Sequence, residues 1–296
     1  MNYISVTEYA LKWSISDRTV RNHCAAGKIP GAFLTGKTWN IPAEASPEAK
    51  RKRKRASGNK LLDRLREERA AQIADSIYQR TQVDFSYNSN IIEGGRLTKD
   101  QTRYIFETNS LEFSDQSINI DDVIKTTNHF KSFDLVIDKA KYKLSESLIK
   151  ELHHTLIAST SDCRNEYHNM GEYKAHPNDI DGTQTTPPDQ VSAEMRKLLD
   201  EYHALNKVTL NDIIAFHHRF EAIHPFHDGN GRVGRLIIFK ECLAHNIAPL
   251  IIDEGLKASY YRGLQNWSKI SGYLMDACLT AQNNYNAIMA HYRIFA

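Results

Sequence analysis

The sequence predicts a mainly α-helical protein with one short β-hairpin in its body and a small helix-turn-helix unit at its front. Apolar residues recur at helical spacing over most of the chain beyond residue 60. A stretch between residues 171 and 188 lacks this period and is rich in turn-forming residues. Residues 1–60 contain 12 Lys and Arg against 4 Asp and Glu, whereas the remainder contains 26 against 32. A basic front part is therefore joined to a mildly acidic body.

The composition limits the class of protein. The 296 residues suffice for one large domain or two unequal ones. We expect a soluble, cytoplasmic protein without a membrane partner, because no run of eighteen apolar residues and no signal-like N-terminus is present. The four cysteines are scattered without a C-x-x-C pair, which favours reduced thiols over disulfides or a zinc site.

Residues 1–45 have the pattern of two short helices followed by a hairpin. Ser5 and Glu8 form a capping box for the first helix, and Ser16 caps the second, which ends at Gly27. The hairpin follows over residues 33–41.

This front pattern is similar to the small winged helix-turn-helix domains of excisionase and MerR-type regulators. The resemblance implies DNA binding, with Arg18, Thr19, Arg21 and Asn22 of the second helix reaching the major groove and Lys37 in the wing. The basic charge agrees with a polyanionic partner. The alternative is a small protein-binding module that does not contact DNA.

Residues 46–60 are predicted to be a basic linker, centred on six successive Lys and Arg residues at 50–55. Like charges repel, so this segment should stay extended. It would act as a solvated tether and add non-specific phosphate contacts if DNA lies nearby.

The body, residues 61–296, begins with a helical pattern that we interpret as one long helix from Leu61 to about residue 94. Gly94 and Gly95 stop it. Ser89 and Glu93 are four residues apart and share one face of this helix. Further helices are predicted over residues 98–108, 120–140, 145–157 and 272–295, and a short hairpin or loop is predicted over residues 171–188.

The stretch from His224 to Arg235 contains the candidate catalytic and anion-binding residues. Thr209 and Asp212 form a capping box for the helix before it, and this helix must end at His224 because Pro225 disfavours α geometry in the residue that precedes it. A glycine-rich turn then leads into a second apolar helix. Backbone N–H groups in such a turn, at the positive end of a helix, bind anions.

Charged groups surround this predicted anion site. Arg232 and Arg235 lie on one face of the second helix. Asp228 stands at the mouth, where a carboxylate can hold Mg²⁺ together with substrate phosphates. An imidazole, a metal carboxylate, an anion site and two guanidinium groups predict phosphoryl chemistry. The alternative is a plain loop with solvated arginines.

At these residues the sequence resembles the Fic (Fido) family of AMP transferases, whose pattern H-x-F-x-(D/E)-G-N-G-R-x-x-R is filled throughout. The resemblance implies that His224 is the general base and that Phe226 anchors the loop. Asp228 would ligate Mg²⁺, the only cofactor implied. The ATP- and phosphate-binding stretch would comprise Asp228, Gly229, Asn230, Gly231, Arg232, Val233, Gly234 and Arg235.

Three further segments gain a role from the same resemblance. Ser89 and Glu93 match the family's inhibitory motif (S/T)-x-x-x-E-(G/N), in which the glutamate pairs with the second arginine, here Arg235. Tyr260 and Tyr261 would lie near the adenine, although such aromatics are equally expected in a core. The hairpin would be the flap that aligns a target chain, with Ile180, Asp181, Gly182 and Thr183 as its working part.

The predicted function is an autoinhibited protein adenylyltransferase that moves AMP from ATP to a Ser, Thr or Tyr hydroxyl of a protein, including itself. The family often dimerises, so a homodimer is compatible with the resemblance. Two alternatives remain. In the first, the same fold mainly removes AMP from protein or uses a nucleotide other than ATP. In the second, the protein is a DNA-binding regulator whose body senses nucleotide without catalysis.

Overall fold

The computed structural model describes residues 2–13, 15–46, 60–111, 117–164, 170–180 and 182–294. The chain divides into two compact units, Met1–Arg55 and Ala56–Ala296. The centre of the predicted linker, residues 47–59, lies outside the described residues. Within the described part of the chain, no helix combines the length and apolar character needed to cross a membrane.

The front unit contains two helices and a three-stranded antiparallel sheet. Its elements are β1 (Tyr3–Ile4), α1 (Val6–Trp13), α2 (Asp17–Ala25), β2 (Phe33–Thr35) and β3 (Thr38–Pro42). β3 is the central strand. The predicted helices, caps and hairpin are present: the Ser5 N–H donates to Glu8 at 2.8 Å, and the Thr19 N–H donates to the Ser16 hydroxyl at 3.2 Å. Strand β1 was not predicted.

The second unit is built from ten helices among its described residues, and its one described sheet is a two-stranded hairpin. The helices are α3 (Lys60–Ala71), α4 (Ile77–Ile92), α5 (Lys99–Thr108), α6 (Ile120–Lys139), α7 (Glu146–Ile157), α8 (Pro188–His203), α9 (Leu210–Ile223), α10 (Asn230–His245), α11 (Lys257–Asn266) and α12 (Gly272–His291). The strands are β4 (Asp179–Ile180) and β5 (Thr183–Gln184).

The prediction of one long helix over residues 61–94 is wrong, because the segment forms α3 and α4 with a break between them. Gln72 and Asp75 adopt left-handed backbone conformations, with φ of 50° and 51°. Ser76 then caps α4, and its hydroxyl accepts from the Gln79 N–H at 3.2 Å. The buried Glu68 carboxylate accepts from the Tyr78 N–H at 3.0 Å. The first turn of α4 thus gains two acceptors that a continuous helix would not provide.

The interior of the second unit is centred on α10, a helix with buried residues on nearly every face. Phe239 of α10 stacks on Phe85 of α4 with ring centroids 5.3 Å apart and meets Phe133 of α6 edge to face at 5.1 Å. Aromatic pairs of this kind add about 0.5–1.5 kcal/mol each to the burial of their apolar area. This packing holds α4, which carries Ser89, against the helix that carries Arg232 and Arg235.

Candidate active site

The loop between α9 and α10 carries the predicted general base. Helix α9 ends before His224, as the following proline led us to expect, and His224 itself adopts a left-handed conformation with φ of 50°. Phe226 is fully buried. The Asn230 side chain closes the loop, because its oxygen accepts from the Phe226 N–H at 2.9 Å and its amide donates to the Phe226 carbonyl at 2.8 Å. The Asn230 side chain is therefore committed to the loop, which leaves its backbone N–H, in the first turn of α10, as the donor it could offer an anion.

A buried histidine that the sequence reasoning missed supports this loop from behind. The His153 ring stacks on Phe226, with centroids 3.8 Å apart and an interplanar angle of 6°. Its Nδ1 accepts from the Gly171 N–H at 3.1 Å, so Nε2 carries the proton and donates to the Asp228 carbonyl at 3.1 Å. Burial lowers the pKa of His153 to about 4, which agrees with this neutral form.

His224 is also neutral at physiological pH. Burial lowers the pKa of its imidazole to about 4, and the positive charge of Lys174 acts in the same direction. A neutral imidazole has an unprotonated ring nitrogen and can accept a proton. The geometry and protonation state of His224 are therefore those of a proton acceptor at the edge of the loop.

The N-terminus of α10 forms the predicted anion site, and an internal carboxylate lies over it. Gly229 precedes the helix with φ of 78°, and the first N–H groups of any α-helix have no carbonyl partner within the helix. A Cβ atom at Gly231 would collide with Glu93 Oε1, which shows how closely this carboxylate approaches the helix. The carboxylate of Glu93 thus lies against the first turn of α10, where the helix dipole favours a negative charge.

Arg235 holds this carboxylate. The Arg235 side chain is 3% exposed, and its Nη2 donates to Glu93 Oε1 at 2.7 Å. The same guanidinium donates to the Ser89 hydroxyl at 3.1 Å and to the Ser89 carbonyl at 2.9 Å. Burial alone would lower the pKa of Arg235, but the Glu93 carboxylate beside it raises the pKa above its ordinary value. This is the arginine–glutamate pairing that the resemblance implies.

Arg232 and Asp228 pair with each other at the mouth of the site. The Arg232 side chain is 3% exposed and contacts the Asp228 carboxylate at 2.5 Å, whereas the Asp228 side chain is 41% exposed. Burial acts to raise the pKa of Asp228, but the charge of Arg232 and the hydrogen bond from the Gly229 N–H lower it by more. The pKa of Asp228 therefore lies below its ordinary value. Asp228 is therefore an ionised, accessible oxygen donor.

Three residues of the predicted nucleotide site lie in the interior instead. Val233 is fully buried and its N–H donates to the Gly229 carbonyl, so it has no group to offer a ligand. A Cβ on Gly234 would meet His217 and Glu221 at 2.7 Å, so Gly234 is required by packing. Tyr260 is 1% exposed and is bonded to His217 Nε2 at 2.6 Å. The core interpretation of Tyr260 is therefore correct, while Tyr261 remains half-buried.

Glu221, also missed by the sequence reasoning, lies behind Arg235. Burial raises the pKa of its carboxyl to about 8 despite the nearby Arg235. Its Oε1 is 3.9 Å from His217 Nδ1, and burial lowers the pKa of that imidazole to about 3. A mostly protonated acid and a neutral histidine therefore line the inner side of Arg235. Neither competes with Glu93 as an ionic partner at neutral pH.

The predicted hairpin is present, with Asp179 paired to Gln184 and Ile180 to Thr183 in antiparallel register. Ile180 and Gly182 are exposed, and Gly182 turns with φ of 78°. Asp181 lies outside the described residues. The two-residue strands have an edge that an extended peptide could pair with.

A polar cavity of about 130 Å³ opens beside the anion site. It lies between the end of α4, the start of α6 and the loop before α10. Its charged lining residues are Glu93, Arg96, Asp122, Lys125, Asp228 and Arg232. Glu93 and Arg232 both line this cavity, so departure of the Glu93 carboxylate would enlarge the space next to Arg232.

In the front unit, the side chains predicted to contact DNA are mainly accessible. Arg18, Arg21 and Asn22 are exposed on α2, and Lys37 is exposed in the turn between β2 and β3. Thr19 is half-buried, and its hydroxyl is 2.9 Å from that of Ser16. One helix and one hairpin turn of this unit thus present polar and basic groups to solvent.

Comparison with known proteins agrees with this geometry. Residues 143–241 match the model of the Fic/DOC family. Protein adenylyltransferase Fic of Drosophila virilis is 25% identical over 188 residues, which cover 60% of this chain and 36% of that protein. Protein adenylyltransferase fic-1 of Caenorhabditis elegans is 22% identical over 189 residues, covering 61% and 35%. The matched segment thus spans about a third of the length of these relatives.

Solved structures share the fold. A Fic domain containing signaling protein from Bacteroides thetaiotaomicron superposes with a TM-score of 0.60 at 21% identity, over 76% of this chain and 92% of that one. A fragment of Fic-1 from C. elegans gives 0.59 at 18% identity, over 78% and 69%. The range that matches the Fic/DOC family model, residues 143–241, includes the loop, both arginines, His153 and the hairpin. Ser89 and Glu93 precede this range. Residues 143–241 of this chain are therefore similar to the Fic/DOC family, and the body shares the fold of these two solved structures.

Proposed function

We propose that this chain is an autoinhibited protein adenylyltransferase. The observation that carries the proposal is the position of the Glu93 carboxylate, which lies on the N-terminus of α10 and pairs with the buried Arg235. A buried guanidinium and a helix N-terminus together bind an anion, and in this chain the anion is internal. The names of the relatives, protein adenylyltransferases, support AMP transfer as the reaction.

In the proposed reaction, a Ser, Thr or Tyr hydroxyl of a protein approaches the neutral imidazole of His224. His224 takes the hydroxyl proton while the oxygen attacks the α-phosphorus of ATP. The bond from the α-phosphorus to the bridging oxygen of the β-phosphate breaks, and pyrophosphate leaves. Arg232, Arg235 and the first N–H groups of α10 stabilise the negative charge of the leaving group. General-base help of this kind contributes typically about 10²–10⁴-fold.

The residues present fit a magnesium ion. Asp228 offers an accessible, ionised carboxylate, which is the kind of ligand that Mg²⁺ prefers, and substrate phosphates usually complete its coordination. When bound, Mg²⁺ would neutralise phosphate charge. The present partner of Asp228, the guanidinium of Arg232, would then turn toward the phosphates.

Inhibition follows from competition for one site. While Glu93 pairs with Arg235, the end of a nucleotide triphosphate cannot use the same guanidinium and the same helix N-terminus. A negative carboxylate there also repels phosphate oxygens. The proposal therefore predicts a nearly silent wild-type protein.

The test uses ATP labelled on the α-phosphate with wild type, Glu93→Gly and the double variant Glu93→Gly/His224→Ala, alone and with cell extract. Protein-bound label in Glu93→Gly only would support an adenylyltransferase with His224 as base. The proposal fails if Glu93→Gly binds ATP but transfers no more label than wild type. Repeating the assay with each nucleoside triphosphate, and with AMP-modified protein as the starting material, separates another nucleotide or AMP removal as the main reaction.

A second candidate function is a DNA-binding regulator whose Fic-like body senses nucleotide. The exposed Arg18, Arg21, Asn22 and Lys37 of the front unit favour it, since they are the groups that contact phosphates and base edges. A gel-shift selection of DNA sites with and without ATP tests this function. Tight binding to one sequence that changes with ATP would support it, and binding without sequence preference would count against it.

A further inference from the structure

Lys174 is a lysine buried between the hairpin and the His224 loop. Lys174 is only 3% exposed to solvent. Burial lowers the pKa of its ammonium to about 8, so the group is still mainly charged at pH 7. A buried charge is tolerated only where hydrogen-bond partners surround it. The partners of Lys174 therefore show what this position holds together.

The first set of partners lies at the base of the hairpin. The Lys174 ammonium donates to Asn178 Oδ1 at 2.6 Å and to the Thr185 hydroxyl at 2.5 Å. Asn178 immediately precedes β4 and Thr185 immediately follows β5. One ammonium thus binds both legs of the hairpin at the point where they leave the body of the domain.

The second set of partners lies in the catalytic loop. The Lys174 N–H donates to the Pro225 carbonyl at 2.8 Å, and its ammonium is 3.5 Å from the Ile223 carbonyl. The Asn178 amide donates to the Phe226 carbonyl at 3.0 Å. These three carbonyls belong to the residue before His224 and the two residues after it. The same lysine cluster therefore binds the loop on both sides of the proposed base.

We propose that Lys174 is a positioning residue that holds the hairpin in register with His224 and so sets where an acceptor hydroxyl on a hairpin-bound chain meets the imidazole. This inference rests on the proposed function. Lys174 touches neither nucleotide nor acceptor. It acts through Asn178 and Thr185, and it links the element that would bind the target to the element that would remove its proton.

A positioning role for Lys174 would affect AMP transfer to protein and AMP transfer to water differently, whereas a general loss of folding would lower both. Transfer of AMP to a protein hydroxyl needs the acceptor chain to be aligned by the hairpin. Transfer of AMP to water, which releases free AMP, needs no such alignment. Loosening the hairpin should therefore lower protein labelling relative to free AMP, because misplacement of a reacting group by about 1 Å can cost on the order of 10²-fold in rate.

The variants are made in the Glu93→Gly background. Lys174→Met removes the ammonium, and Thr185→Val removes only the hydroxyl that receives it, which keeps the test available if the methionine variant does not fold. Lys150→Met is the matched control. Lys150 is a nearby lysine whose ammonium pairs with Glu172 at 2.6 Å and lies over the Tyr173 ring, and among the described residues its ammonium is not hydrogen-bonded to the loop or to the hairpin.

The measurement is the ratio of protein-bound label to free AMP, with α-labelled ATP as the probe. We expect this ratio to fall by on the order of 10²-fold in Lys174→Met, to fall less in Thr185→Val, and to stay unchanged in Lys150→Met. The inference is overturned if label and free AMP fall by the same factor, or if neither changes.

A second readout does not depend on activity. Hydrogen exchange of peptides that cover residues 174 and 185 should become faster in Lys174→Met and Thr185→Val, while peptides from α9 and α10 keep their protection. If the Glu93→Gly parent releases no AMP and labels no protein, the proposed function has failed and exchange alone decides on the lysine. Unchanged exchange at the hairpin would then overturn its positioning role.

Discussion

Replacing Glu93 with glutamine tests whether charge or bulk closes the site. Glutamine has nearly the shape of glutamate but lacks the negative charge that Arg235 binds at 2.7 Å. Hydrogen bonds to charged groups contribute a net of about 1.5–3 kcal/mol. The Glu93 side chain is 31% exposed, so solvent screening favours the lower end of this range. A loss of about 1.4 kcal/mol changes an equilibrium about tenfold.

We therefore expect Glu93→Gln to transfer label about tenfold faster than wild type. Glu93→Gly should be at least as fast, since it removes the side chain altogether. The assay measures initial rates of protein labelling from α-labelled ATP at a nucleotide concentration well below saturation, where the closed state competes most strongly. Glu172→Gln is the matched control, because Glu172 is an exposed glutamate paired with Lys150 away from the anion site.

One pattern of rates would refute the reasoning. If Glu93→Gln is as silent as wild type while Glu93→Gly is active, glutamate closes the site by occupying space, and its ion pair with Arg235 is not what holds it. Equal melting temperatures of the three proteins would show that the rates compare the same fold. A rise in Glu172→Gln of similar size would mean that removal of any acidic side chain has the effect.

Three other predictions concern the candidate active site, and a fourth concerns the front unit. His153→Phe should keep the stack on the loop but leave the Asp228 carbonyl without its donor, which costs about 1–3 kcal/mol of unfolding free energy in a urea titration; an unchanged midpoint would contradict the role of its ring nitrogens. Gly234→Ala should cost about 1–3 kcal/mol by overpacking, measured in the same way, and a neutral effect would mean that the surrounding side chains yield. The proposed base is the neutral form of His224, and the pKa of its imidazole is about 4. The rate of protein labelling by the Glu93→Gly variant should therefore show no His224 titration near neutral pH and should fall only as the pH drops toward 4. A loss of rate centred near the ordinary histidine pKa would contradict this prediction. If Arg21 contacts a DNA phosphate, Arg21→Ala should reduce the salt dependence of affinity by about one phosphate contact, and an identical slope would exclude such a phosphate contact.

Local signals predicted the elements well where a few neighbouring residues decide the conformation. The capping box of Thr209 and Asp212 is present, with the Thr209 N–H donating to Asp212 at 2.8 Å. The end of α9 at His224 was predicted correctly from Pro225. The capping pair Thr98 and Gln101 likewise opens α5. These features depend on bonds within four residues, which a linear reading can recognise.

Apolar periodicity did not predict every helix or every break between helices. The apolar spacing after Leu61 is continuous enough to suggest one helix, but the chain turns at Gln72 and Asp75 and begins a new helix at Ser76. Helices α8 and α11 were not predicted, although they are regular in the structure. Apolar spacing alone therefore marks neither a break set by caps and left-handed residues nor every helix of the fold.

The sequence by itself determined the helical class, the caps, the hairpin and the run of residues from His224 to Arg235. Only the tertiary structure identified His153, Lys174 and Glu221 as the residues that support the loop, the hairpin and Arg235. Each belongs to a different helix or loop, and some of their bonds span large distances along the chain, such as 75 residues between His153 and Asp228 and 49 between Lys174 and Ile223. The contact of Glu93 with Arg235 spans 142 residues. Such pairs form because folding removes water from around both partners, and no local pattern records which distant group will then face which.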